Sequence, residues 1–186
     1  MRSSSVRRAR GPRALLGALA GLALVLTLAG CGSTGGVGAV VDDRTIPVSE
    51  LHQAVTELGP VYQGATLPSV LTALIVEPTF IGVATKYGAG VSDTQAVDSL
   101  KKAYTAQKLT PPASFGPGAI AVARFSLAVT ALNALPKASE ALSEAEALVQ
   151  KLHVDVNPRF GKLDFTTGTI KPSAYPWILT GSAAGS

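Results

Sequence analysis

The sequence predicts a mainly α-helical domain carrying a small β hairpin or ribbon, and three observations point to it. Apolar residues recur at three- and four-residue intervals through most of the stretch from 49 to 152, the period of helices that bury one face. Ser49 and Ser92 stand where helix N-caps belong, since a serine hydroxyl can accept a bond from the first free backbone N–H groups. Alternating apolar and polar residues, the strand period, occur only near the two ends of this stretch.

In order along the chain, Ala39 to Val41 is a short β-type run. Asp42-Asp43 turns it, and "TIPV" resumes it as a hairpin. Ser49 then caps a helix with Glu50 in its first turn, and Leu51, Val55 and Leu58 form the apolar stripe until Gly59-Pro60 stops it. Leu67, Val70, Leu71, Leu74 and Ile75 give the full stripe of a core-facing helix, which Pro78 is expected to break or kink near Glu77. A second segment, with Phe80, Ala84 and Tyr87 on one side, runs to Gly88. Ser92 and Gln95 have the spacing of a capping box, with Val97, Leu100 and Tyr104 inward and Lys101 and Lys102 opposite.

The Pro/Gly loop "TPPASFGPGA", 110 to 119, is long enough to be functional or mobile. The helix after it is apolar almost everywhere except at Ser126, Thr130 and Asn133, and is expected to be the most buried of the set. After Pro136 a further helix turns Ala138, Leu142, Ala145, Val149 and Leu152 inward, with Glu140, Glu144 and Lys151 on a solvated face. Val154 and Val156 alternate as a short strand ended by Asn157-Pro158. The stretch from 166 to 186 reads as an extended tail.

The chain's beginning reads as an export label. Arg2, Arg7, Arg8, Arg10 and Arg13 precede the apolar run Ala14 to Gly30, the order of a secretory signal. "LAGC", 28 to 31, resembles a bacterial lipobox, in which the cysteine thiol receives a lipid and becomes the first residue of the mature chain. Cys31 is the only cysteine, so an internal disulfide is excluded, and the "GSTGG" after it suits a flexible tether. A free cysteine beside a transmembrane anchor is the competing reading. Arg7-Arg8 raises twin-arginine export, but "ARGP" after it lacks the apolar continuation, and Sec export is the default. The organisation expected is signal peptide 1–30, tether 31–37, helical domain 38–165 and tail 166–186, with the protein lipid-anchored on the extracytoplasmic face of the cell membrane.

Charge excludes one class of partner. The chain carries sixteen Lys and Arg against twelve Asp and Glu, but five of the basic residues lie in the signal, which leaves the mature chain close to neutral and without a basic patch for nucleic acid. Chemistry is scarce too. The two histidines, His52 and His153, belong to no metal-ligand spacing, no G-x-S-x-G elbow occurs, and no phosphate-cradling glycine loop is present. No catalytic residue, metal site or cofactor is expected.

Two segments carry a family resemblance. "AVVDDRTIPVSELHQAV" looks like the start of the N-terminal domain of SurA- and PrsA-type extracytoplasmic chaperones. "LTALIVEPTFIGVATKYGAGVSDTQAVDSL" resembles that family's second motif, with Leu74-Ile75, Ala84, Gly88 and Val91-Ser92-Asp93 at the matching positions. "VNPRFGKLD", 156 to 164, is similar to a segment of lipoprotein members from high-GC actinobacteria, with Phe160 in place of a tyrosine and Leu163 in place of an aromatic residue. The resemblance implies a helical domain whose N-terminal strand pairs with a strand near its C-terminal end. It also implies a partner class, unfolded or partly folded exported proteins.

Relatives often contain a parvulin-type prolyl isomerase domain, for which this chain leaves no room after Leu135 to Leu152, so isomerase activity is not expected. Candidate client-binding residues are Phe115, Phe165, Tyr175 and Trp177, aromatic and on or beside irregular segments. Val154 and Val156 are expected to add a strand beside Val40-Val41, and Arg159 and Asp164 of "VNPRFGKLD" to form a local ion pair. A structural envelope lipoprotein with one dedicated partner is the alternative function.

Overall fold

The computed structural model describes residues 36–164 and 169–171. Ten elements follow one another there: β1 (Val37–Val41), β2 (Arg44–Pro47), α1 (Val48–Leu58), α2 (Leu67–Lys86), α3 (Asp93–Ala106), α4 (Pro117–Asn133), α5 (Ala138–Val149), β3 (Val154–Val156), β4 (Lys162–Asp164) and β5 (Thr169–Lys171). The fold is mainly helical with small antiparallel sheets, as the sequence predicts.

β1 is the centre of a three-stranded sheet of order β2-β1-β3. It pairs antiparallel with β2 through the Asp42-Asp43 turn, and with β3 in the register Ala39↔Val156, Val40↔Asp155, Val41↔Val154. The predicted strand beside Val40-Val41 is therefore present. Asp42 reinforces the junction: its N–H donates to the His153 carbonyl at 2.7 Å and its carboxylate accepts the His153 N–H at 3.1 Å. A second hairpin, β4-β5, lies partly in the stretch read as an extended tail. The ion pair at Asp164 is with Lys171 across this hairpin, at 2.5 Å, which corrects the expectation that Arg159 would be its partner.

β2 passes directly into α1. Pro47, still extended at φ −77° and ψ 148° and paired with Val37, occupies the N-cap position, so Ser49 lies inside the first turn and is not the cap. Leu51, Ala54 and Leu58 are its buried face. The Ser92–Gln95 capping box is present at α3 in both directions. Thr66 and Ser69 make a second one at α2, where a serine replaces the acidic or amide partner by which such boxes are usually recognised.

α2 is the central helix, packed by α1, α4, α5 and the strands β1 and β5. Nine of its residues are buried against five of α4, which corrects the expectation that α4 is the most buried. Among the described residues α2 is also the one helix long and apolar enough to span a membrane by length and composition, and half of that span is buried in the domain. α4 approaches its neighbours through small residues. At Gly118 a Cβ would lie 3.0 Å from Glu50 Cγ and 3.1 Å from Ala54 Cβ, so glycine sets the α1–α4 spacing.

Pro78 does not break α2, which runs unbroken from Leu67 to Lys86. A proline at this position lacks the N–H that would serve the carbonyl four residues earlier. That carbonyl is Leu74's, and Arg44 of β2 donates its Nη2 to it at 2.6 Å. The side chain that fills the gap comes from the hairpin, so the proline becomes the point where the sheet is fastened to the central helix.

The packing divides into two clusters. One joins the β1-β2-β3 sheet to α1, α3 and parts of α2 and α4 around Leu51, Leu71, Leu74 and Leu100. The other holds Val83 and Ala84 of α2 against Ala128 and Leu132 of α4 and Ala141 and Ala145 of α5. Of the predicted α5 stripe, Ala145 is buried and Leu142, Val149 and Leu152 pack against the clusters; Ala141, which the prediction left out, is buried beside Ala145.

Arg44→Met is expected to cost about 1–2 kcal/mol, because it leaves a partly buried carbonyl without a donor. In a Pro78→Ala background, where residue 78 regains its N–H, the same substitution should cost less than about 0.5 kcal/mol. Urea unfolding of the four proteins of this cycle measures the difference.

Candidate functional site

The sequence-named aromatic residues divide sharply. Phe115 is buried, only 9% exposed, with its ring 5.7 Å from that of Tyr104. It belongs to the core, which corrects its expected place on a client-facing loop: packed in this way it offers no free apolar surface. The loop around it is pinned as well, because the Gly116 N–H donates to Glu57 Oε2 at 2.8 Å and the Tyr104 hydroxyl donates to the Glu57 carbonyl at 2.6 Å. Burial, then the neighbouring Glu57, raises the pKa of the Tyr104 phenol above its ordinary value. Phe165, Tyr175, Trp177 and Cys31 lie outside the described residues.

Apart from the single exposed leucines Leu109 and Leu148, α4 contributes to an open apolar groove. Its Val122, Phe125 and Val129 are only partly buried, and they face Val70 and Ala73 of α2 and Tyr62 of the α1–α2 connection. Together they line an open groove of about 430 Å³ whose rim carries Gln63, Ser69, Ser126 and Thr130. No charged side chain lines it. Phe125 is held in place edge-on against Phe80, ring centres 5.0 Å apart and planes at 84°, a favoured aromatic geometry. The apolar content of α4 was legible in the sequence. Which part of it stays uncovered was not, because the groove joins residues from three separate segments.

Elsewhere between α2 and α4 lies a buried charge. Glu77, 4% exposed on α2, is the one buried charged residue among those described, and Arg124 of α4 pairs with it through Nη2. Arg124 also reaches Asp93 at the start of α3 through Nη1 at 2.6 Å, so one guanidinium ties three helices. A second polar cluster links α2 to α5, where Lys86 Nζ lies 2.6 Å from Glu144 Oε1 and the Tyr87 hydroxyl donates to Glu144 Oε2 at 3.1 Å. The hydrogen bond from Lys86 lowers the Glu144 pKa, and its counterpart raises that of Lys86. Glu144 therefore belongs to an interhelical contact and not to a purely solvated face. Both clusters have structural geometry: each ties helices together and neither opens onto the groove.

His52 is exposed on α1 and His153 lies at the entry to β3, on different elements. Among the described residues no three His, Cys, Asp or Glu side chains converge to hold a metal ion. No family model, curated protein or solved structure matches the chain.

Arg124→Met is expected to destabilise the domain by about 3 kcal/mol, because it strands the buried Glu77 carboxylate. The double variant Arg124→Met with Glu77→Gln should recover more than half of that loss in denaturant unfolding, since the stranded charge is removed.

Proposed function

We propose that the protein is a lipid-anchored, extracytoplasmic chaperone-like module that holds unfolded or partly folded exported proteins without catalysing a reaction. The observation that carries this reading is the groove between α2, α4 and Tyr62, apolar at its base, polar but uncharged at its rim, and open. A chaperone of this kind must present apolar surface without charges that would select one partner. Val70, Val122, Phe125 and Val129 supply the first property, and Gln63 and Ser126 can hydrogen-bond any peptide backbone, while the Ser69 and Thr130 hydroxyls donate within the fold.

A groove of about 430 Å³ has room for a few apolar side chains of an extended segment, a size suited to weak, exchanging contacts. The resemblance of residues 39–55 and 71–100 to the SurA and PrsA N-terminal domain supports the same reading. So do the export signal and the lipobox at Cys31.

The chain from Gly32 should suppress the aggregation of several chemically unrelated unfolded proteins, measured by light scattering. Val129→Lys, which places a charge in the groove, should weaken binding of an apolar peptide about tenfold while leaving the circular dichroism spectrum unchanged. Capture of a single envelope protein with no general suppression would instead establish a dedicated-partner lipoprotein. Cys31→Ser should abolish metabolic lipid labelling and release the protein from membranes or leave an unprocessed precursor; unchanged labelling would refute the anchor.

A further inference from the structure

The segment that follows β3 is built as a rigid mount. Asn157 donates its backbone N–H to the Gly38 carbonyl at 2.9 Å and its side-chain amide to the Val37 carbonyl at 2.7 Å. Its side-chain oxygen accepts the Arg159 N–H at 3.1 Å, and its carbonyl accepts the Phe160 N–H at 2.9 Å. Gly161 closes the turn at φ +112°, where a Cβ would lie 2.0 Å from the Lys171 carbonyl oxygen, so only glycine fits. Backbone held this firmly fixes the starting point of the Arg159 side chain.

Among the described residues the Arg159 side chain is not drawn into an ion pair. The carboxylate that the sequence offered it, Asp164, is taken by Lys171. Arg159 forms no ion pair among the described residues, and it lines a recess of about 270 Å³ together with Val48 and His52 of α1, Leu67 of α2, Asn157 and Phe160. Three of these six residues, Val48, Leu67 and Phe160, have hydrocarbon side chains, none is acidic, and the guanidinium is the one permanent charge. A cation beside apolar walls in a recess of single-residue size suits a ligand with an anionic end and a compact hydrocarbon body. A planar guanidinium matches the two oxygens of a carboxylate in a bidentate pair. A phosphate would gain nothing from Val48, Leu67 and Phe160.

We propose that this recess binds a carboxylate borne on a small apolar body, with Arg159 taking the carboxylate and Val48, Leu67 and Phe160 enclosing the hydrocarbon. Asn157 positions Arg159, and His52 supplies a further hydrogen-bonding group at the wall. Two sources present this chemistry: the last residue of a peptide chain with an apolar side chain, and a free short branched carboxylic acid. The recess shares no lining residue with the α2–α4 groove, so this inference stands apart from the holding function.

The test is calorimetric titration of the full chain in detergent at pH 7 with four probes: acetyl-Ala-Ala-Leu with a free carboxylate, its carboxamide twin, 4-methylpentanoate and inorganic phosphate. A free carboxylate should bind, and Arg159→Gln should weaken it at least tenfold with the melting temperature unchanged, while Arg159→Lys loses less. Binding of the peptide acid with at least tenfold weaker binding of its amide assigns the peptide end as the source; binding of 4-methylpentanoate alone assigns the free acid. The proposal is overturned if the peptide acid and its amide bind equally, if phosphate binds as tightly as the carboxylates, if Arg159→Gln binds like the parent, or if neither carboxylate binds.

Discussion

A proline inside a central, largely buried helix leaves one carbonyl without a donor, and the fold is organised around supplying it. Arg44 does so at Leu74, and because Arg44 sits at the start of β2 the repair also fixes where the sheet meets the helix. One residue before the proline, Glu77 imposes a second demand of the same kind, a charge out of water, and Arg124 answers it from α4 while holding Asp93 of α3. Two adjacent residues unfavourable to a helix core are thus each matched by an arginine from another element. The sheet, α3 and α4 are all attached to α2 within about one helical turn of each other.

This arrangement explains why α4 can leave part of its apolar surface uncovered. Arg124 and the small residues Gly118, Ala119, Ala123 and Ala128 bring α4 close to its neighbours. Val122, Phe125 and Val129 stay partly uncovered, facing Tyr62 and the first turns of α2. The groove is therefore a by-product of how α4 is held, and its shape depends on contacts made by residues that do not line it.

Local features of the fold were readable in the sequence. The Asp42-Asp43 hairpin, the Ser92–Gln95 box, the start of α2 at Leu67 and the strand at Val154 to Val156 each depend on neighbours a few positions apart. What depends on distant partners was not readable. Pro78 looks like a helix break until Arg44 is seen beside Leu74, and Phe115 looks like loop surface until Tyr104 covers it. Glu144 looks solvated until Lys86 meets it. Both open sites belong to this second kind, because Tyr62, Val70 and Phe125 in one, and Val48, Leu67 and Arg159 in the other, have no shared period or spacing.

The bond from the Asn157 side chain to the Val37 carbonyl spans 120 residues. A chain made from its N-terminus can form the β1-β2 hairpin early, but β1 must wait for nearly the whole domain before β3 closes its second edge. Pairing over such a distance is among the slower steps of folding, although the entropy of closing so long a loop rises only slowly with its length. The recess around Arg159 is assembled by the same late event, since Asn157 both seals β1 and orients the arginine. The recess therefore exists only where the two distant ends of the domain have met.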